Sequence, residues 1–341
     1  MALLRRAYAL PKSTKILLGI LISITSLIFF IKLAFYRSAI VNGNNEQDEV
    51  VFHNIQVSYL QLIPRYTIFY PWVIVTAIFA EISAVSFIIS GAILAVSTKY
   101  VEKFWGYKEV IKFVLVLGSF TNLITVLITI ICNLMRGDVE GMDKPLGGGI
   151  SYYFGFLVVL KQLIPEHNIV LFQGLINFRV KHLPFILLNV VSVWSLLISR
   201  SLYPAIPSIG SFIISYNYLR FYQSFLTDPL LPITMANGGS DSSGSLITGD
   251  ASDTFQLVEF FPRILKPYLT VLFDGCYDLG CMLGIIIPFN DDSIEQGNIR
   301  AQKRLEQANQ TQKSVANSVA ERRRQVALQV IEDRINKETR K

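Results

Sequence analysis

The chain has 341 residues, of which 52% are hydrophobic and only 16% charged, well below the roughly 25% charged content of soluble domains. Its mean hydropathy is +0.44. These values exclude a disordered chain and a small disulfide scaffold. The net charge of +6 sits mostly in short clusters beside apolar runs and in the C-terminal tail, a pattern of membrane topology rather than of nucleic-acid binding.

A bilayer-crossing helix needs about 20 apolar residues. Six runs approach that length: Ile16–Phe35, Trp72–Ser97, Ile111–Leu134, Leu146–Ile164, Pro184–Ser199 and Ala205–Phe221. The first is too long, and lacks the small-residue cleavage site, to be a removed signal peptide. The fold class is therefore an all-α integral membrane protein with a six-helix transmembrane bundle. Residues 1–15 form an N-terminal flank and residues 16–223 the transmembrane domain. Residues 224–254 read as a flexible Gly/Ser linker region around "TMANGGSDSSGSLITGDASD". Residues 255–289 are apolar but broken by Pro262, Pro267, Asp274 and Asp278, which predicts an interfacial or packed helical segment. Residues 290–341 are polar and helix-forming.

Orientation follows from basic residues in short loops. One side carries Arg5, Arg6, Lys12 and Lys15, then Lys99, Lys103, Lys108 and Lys112, then Lys161 (snorkelling from a helix end), Arg179 and Lys181. The other carries Arg37, Arg65, Arg136, Lys144 and Arg200. The richer side is expected to be cytosolic, which places both termini there and leaves the sequon Asn309-Gln310-Thr311 unglycosylated.

Within the runs, Glu81 stands out, because a carboxylate in mid-membrane costs about 2.5–3.5 kcal/mol and faces the bundle interior. On a continuous helix it lies about 13 Å below Trp72, and Asn122 reaches about 16 Å in from Ile111 on the other side. The matched depths predict a Glu81–Asn122 hydrogen bond. In "GGGISYYFGFLVVLK", Gly148, Ser151 and Gly155 fall three and four residues apart and predict a small-residue packing seam. Cys132, Cys276 and Cys281 have no paired spacing and no histidine nearby, so no metal, cofactor or disulfide is expected. In the tail, Arg322, Arg323 and Arg324 precede Ala327, Ile331 and Ile335 at helical spacing, a candidate partner-binding face.

The stretch Trp72–Glu109 resembles the second span of rhomboid-like proteins and its exit motif L-E-x-x-W-G, here carried by Glu102, Trp105 and Gly106. "YLRFYQ" (with Arg220, Phe221 and Tyr222), "FFPRILKP" (with Pro262 and Pro267), "FLVVLKQ" and "AERRRQVALQVIEDRI" resemble the transmembrane protein 115 family, over about residues 60–336. The resemblance implies a rhomboid-like, catalytically inactive bundle in the Golgi membrane. It also implies a role in retrograde transport to the endoplasmic reticulum and in glycosylation, with tethering or trafficking proteins as partners through the tail. A homo-oligomer stays open.

A rhomboid protease needs a serine in a G-x-S-G setting on the fourth span and a histidine base on the sixth. Here Ser151 is followed by Tyr152, and it falls one position off when aligned on Phe154-Gly155. His53, His167 and His182 lie in loops or at their edges, and the sixth run holds no histidine. The expected activity is thus a non-enzymatic membrane adaptor, a pseudoprotease. The alternative is a transporter or lipid-handling protein built on Glu81.

Overall fold

The computed structural model describes residues 10–42, 52, 55–164, 168–171, 176–199, 201–223 and 249–306, with 310, 321, 324, 325 and 328. The rest of the Gly/Ser linker, and Arg322, Arg323, Ala327, Ile331 and Ile335 of the tail, lie outside the described residues. Six apolar helices make an all-α membrane bundle: α1 (Lys12–Asn42), α2 (Ala84–Trp105), α3 (Tyr107–Arg136), α4 (Ile150–Leu163), α5 (Leu183–Trp194) and α6 (Ala205–Asn217). Among the described residues, four helical stretches, Lys12–Ile40, Ala84–Trp105, Tyr107–Arg136 and Val180–Ser199, are long and apolar enough to cross a membrane. α4 has only 14 residues, about 21 Å of helix. It suits the centre of the bundle because it is almost wholly enclosed, with Phe154, Phe156, Val158 and Val159 buried. After α4 comes a two-stranded antiparallel hairpin, β1 (Asn168–Leu171) and β2 (Ile176–Arg179). Beyond the bundle come α7 (Lys266–Met282) and a helical stretch at 291–306.

The expected second span does not run as one helix. Only Val73–Thr76 and Ala77–Phe79 make short turns, and the chain then opens out before Ser83 caps α2 through the Val85 N–H. The irregular piece is nonetheless deep and covered, with Val73, Ala77, Ile78, Phe79 and Ala80 all buried. Non-helical backbone survives at membrane depth only where protein satisfies its polar groups, and each neighbour does so. Thr25 of α1 donates to Phe79 O (3.0 Å), Asn122 of α3 donates to Ile74 O (2.9 Å), and Gly148 N donates to Ala77 O (2.8 Å). Residues 73–81 therefore form a re-entrant segment wedged against the middle of α3, where Ile78 packs on the face that Gly118 leaves open.

The exit motif of α2 builds the end of the bundle that bears the chain's first described residues, here called the tail end. Glu102 accepts hydrogen bonds from the backbone N–H groups of Lys12 (3.1 Å) and Ser13 (2.9 Å) and from the Ser13 hydroxyl. A side chain of α2 thus caps the orphan donors at the start of α1. Trp105 packs edge-on against Phe113 of α3. Gly106, at φ 79°, supplies the left-handed residue that turns α2 sharply into α3.

Candidate functional site

Two buried polar clusters stand at opposite ends of the bundle. The first is built on Glu81, at the exit of the re-entrant segment. Its carboxylate accepts from the Gly149 backbone N–H (2.7 Å) and from the Ser90 hydroxyl, and Ser90 Oγ lies 2.5 Å from Tyr153 Oη. The donors come from the start of α4 and from two turns into α2, so one carboxylate ties three elements together. The approach requires glycine. Gly148 sits at φ +91°, and a Cβ there would fall 2.7 Å from Glu81 Oε2. Tyr203 adds a hydrogen bond to Gly147 O at 2.7 Å.

This corrects the expected Glu81–Asn122 pair. The depth argument assumed a continuous helix through Trp72–Ser97. Because the segment is re-entrant, Asn122 meets the carbonyl of Ile74, and Glu81 meets Gly149. The small-residue seam is also rearranged. Gly148 precedes α4 rather than lying on its face. Gly155 faces Leu117 and Phe113 of α3, while α6 approaches through the buried Ser208, Ser211 and Ser215, with Ser211 Oγ 3.2 Å from Gly155 N. Ser151 is fully buried, and its hydroxyl donates to Gly148 O at 3.1 Å.

The second cluster closes the tail end. Composition predicts a linker through residue 254, but the described part folds from Gly249 onward. Asp250, Ala251 and Ser252 are buried beneath the helix ends, because their polar groups find fixed partners. Arg220, just past α6, donates to the carbonyls of Asp250 and Ser252, both at 2.7 Å. The Asp250 carboxylate takes the Arg304 guanidinium at 2.8 Å, Gln162 Nε2 at 2.9 Å and its neighbour Ser252 N at 3.2 Å. Burial alone would raise the Asp250 carboxyl. The Arg304 charge and the Ser252 and Gln162 hydrogen bonds outweigh it and hold the group at about 2, against an ordinary 3.8. Nearby, burial likewise pushes Glu259 upward, but its contact with Lys266 at 2.5 Å lowers it overall.

Lys161, expected to snorkel, is instead buried at 1% exposure. Phe255 and Phe260 of the folded segment cover its ammonium, which lies 3.4 Å from the Phe260 ring centre and donates to Gln256 O at 3.4 Å. The resemblance-bearing residues next to Arg220 position the following helix. Phe221, Tyr277 and Phe289 pack against one another as a triad of rings, and Tyr222 Oη donates to Ile285 O at 3.1 Å. Pro262 accepts from Leu265 N, and Pro267 occupies the first turn of α7, where a missing N–H costs nothing.

Sequence reasoning missed Ser90, Gln162, Asp250 and Arg304, and it expected Tyr153 to hydrogen-bond without placing it in the Glu81 cluster. Ser90, Tyr153 and Gln162 lay in stretches singled out from the sequence, but nothing local marked them as partners of a buried carboxylate, and Asp250 was hidden in a run whose composition is that of a linker. Among the described residues no group of three His, Cys, Asp or Glu side chains is placed to hold a metal ion. Both clusters join chain segments: the Glu81 cluster is lined by neutral donors, and the Asp250 cluster holds a buried ion pair.

The sequence profile described as eukaryotic integral membrane protein (DUF1751) matches residues 15–337. The transmembrane protein 115 homolog of Saccharomyces cerevisiae is 31% identical over 334 residues, covering 96% of this chain and 93% of that protein. The chain belongs to the transmembrane protein 115 family. Rhomboid-like protein 19 of Arabidopsis thaliana is 29% identical over 222 residues, 64% of this chain and 66% of that protein. Transmembrane protein 115 of Bos taurus is 28% identical over 212 residues, 60% of this chain and 52% of that protein. No solved structure matches. Both resemblances read from the sequence thus agree with the comparisons, and the family match runs through the Glu81 cluster, the Asp250 cluster and the tail.

Proposed function

We propose that this membrane protein is a non-enzymatic adaptor of the Golgi membrane, acting in retrograde transport to the endoplasmic reticulum and in glycosylation by presenting its tail to trafficking proteins. One observation carries the reading: the tail helix leaves the bundle from a rigid mount. Arg304 binds both the Asp250 carboxylate and, at 3.3 Å, the Gln162 carbonyl at the end of α4, so the base of the tail is fixed relative to the membrane domain. An adaptor needs this property, since the tail then starts from a fixed point on the membrane domain. The disposition of Ser151 supports the absence of protease activity. Its hydroxyl is sealed and engaged with a backbone carbonyl, and the histidine expected of a base is absent from the sequence of the sixth span.

In this reading both termini are cytosolic, in keeping with the basic residues of the tail-end loops. The test is replacement of Ala327, Ile331 and Ile335 by Asp in the full chain. The variant should reach the Golgi, lose co-purifying trafficking factors and fail to rescue a deletion strain. Full rescue with partners retained would overturn the adaptor reading, and glycosylation of Asn309 would overturn the orientation.

A further inference from the structure

Helix α7 is mounted with its apolar side outward. Tyr268, Val271, Leu272, Leu279, Met282 and Leu283 recur at three- and four-residue steps and so share one face. All six are exposed, and Tyr268, Val271 and Met282 lie between 76% and 88% exposed. The opposite face is held. Phe273 packs on Phe261, Tyr277 stacks on Phe221 and Phe289, and Lys266 is bridged to Glu259. The outward direction of the stripe is therefore built into the fold. Asp274 and Asp278, both exposed, flank it on one side.

We propose that α7 lies in the membrane interface, its apolar stripe sunk into the leaflet on the tail side, as a further lipid-contacting element that does not cross. Three observations identify lipid as the occupant. The helix has 17 residues, fewer than the about 20 needed to span, and two aspartates along one side, the build of an interfacial helix. It is also continuous with a lipid-facing surface. Phe185 at the tail-side start of α5 packs on Phe261 (5.1 Å), which packs on Phe273 of α7 (5.7 Å). α5 belongs to the stretch Val180–Ser199, long enough to cross a membrane, and exposes Ile186, Val190, Val193 and Leu197. The aromatic chain thus sets α7 at the level where α5 leaves the bilayer. Finally, Asp274 and Asp278 at the stripe's margin disfavour anionic headgroups, so the attraction is apolar and is not strengthened by negative lipid charge.

The experiment uses the full chain in phosphatidylcholine vesicles, with native cysteines replaced by serine and a bimane fluorophore on a single cysteine at Val271, Met282 or, as control, Asp274. Val271→Cys and Met282→Cys should lose emission with bromine-labelled acyl chains and resist aqueous iodide, and Asp274→Cys should do the reverse. Adding phosphatidylserine should not deepen the stripe. Leu272→Cys and Leu279→Cys repeat the reading on the same stripe should either first label disturb the fold. Iodide quenching on the stripe equal to that at Asp274 would show a face in water and overturn the proposal. Shielding from both quenchers would show a face covered by protein, a second copy or a partner, and would overturn it equally.

Discussion

The two ends of the bundle solve the same problem with different electrostatics. Each must pin an irregular stretch of backbone against helix ends, and each does so through one buried carboxylate. Glu81 works inside the membrane domain with hydroxyl and backbone donors. Asp250 works at the tail end with a guanidinium, an amide and a backbone N–H. The difference follows from what each site can recruit. The tail helix is polar and supplies a cation, whereas placing a second charge beside Glu81 would mean taking it deeper into hydrocarbon. The neutral site relies on close approach, hence its glycines, and the charged site relies on an ion pair.

That contrast can be broken by substitution. The largest effect is expected from Asp250→Ala. It leaves Arg304, whose side chain is 11% exposed, without its carboxylate, and removing one partner of a buried pair costs about 3–5 kcal/mol. Thermal unfolding in detergent should show the loss, and proteolysis should show residues 249–260 released. A near-neutral result would mean the tail is held by apolar contacts alone. Next comes Gly148→Ala, which combines a left-handed backbone with a Cβ 2.7 Å from the Glu81 carboxylate. A cost of about 1–3 kcal/mol is expected, read as a lowered melting midpoint with the tail still docked.

The pH response sharpens the comparison. Asp250 is depressed when folded, so its contribution is fully present above 3.8 and is lost as pH falls through about 2. The shift corresponds to about 2 kcal/mol. The stability gap between the wild-type chain and Asp250→Asn should therefore narrow between pH 4 and pH 2 and stay flat above. A gap that closes near neutrality would implicate another group.

The smallest effects are expected at the other end. Glu81→Gln keeps an acceptor for Ser90 and Gly149, and its cost should stay below about 1.5 kcal/mol. Abundance and melting midpoint measure it. A loss as large as that of Asp250→Asn would show that the charge on Glu81 matters and would erase the distinction between the ends. Ser151→Ala gives up one hydrogen bond to Gly148 O, again below about 1.5 kcal/mol, with function unchanged.

What the sequence made legible was what depends on composition and local pattern. The apolar runs around α1, α3, α4, α5 and α6 appear as helices, and the family resemblance rested on long motifs. Hydropathy was blind where an apolar run is not a helix. Trp72–Ser97 reads as one continuous span, although helix α2 begins only at Ala84, because the re-entrant backbone before it is buried in protein and needs the same apolar residues as backbone facing lipid. The Glu81–Asn122 pairing failed for that one reason. Asp250 escaped because the Gly and Ser around it signal flexibility, and only contacts with Arg220, Gln162 and Arg304, distant in sequence, make it rigid. Lys161 misled in the opposite sense: a lysine at a helix end ordinarily snorkels, but here the chain folds back to cover it.

The cap that Glu102 places on α1 has a consequence for how the protein is made. α1 leaves the ribosome before α2, yet the carboxylate that satisfies its leading N–H groups lies about 90 residues later. At roughly 5–20 residues per second, the first helix waits on the order of 5–20 s for its partner. Over that interval, little besides the hydrophobicity of its own side chains keeps it in the bilayer. α1 is therefore an element whose position is settled by recruitment rather than by insertion: it enters the membrane early and joins the bundle late, when the turn at Trp105-Gly106 has brought α2 and α3 together to receive it.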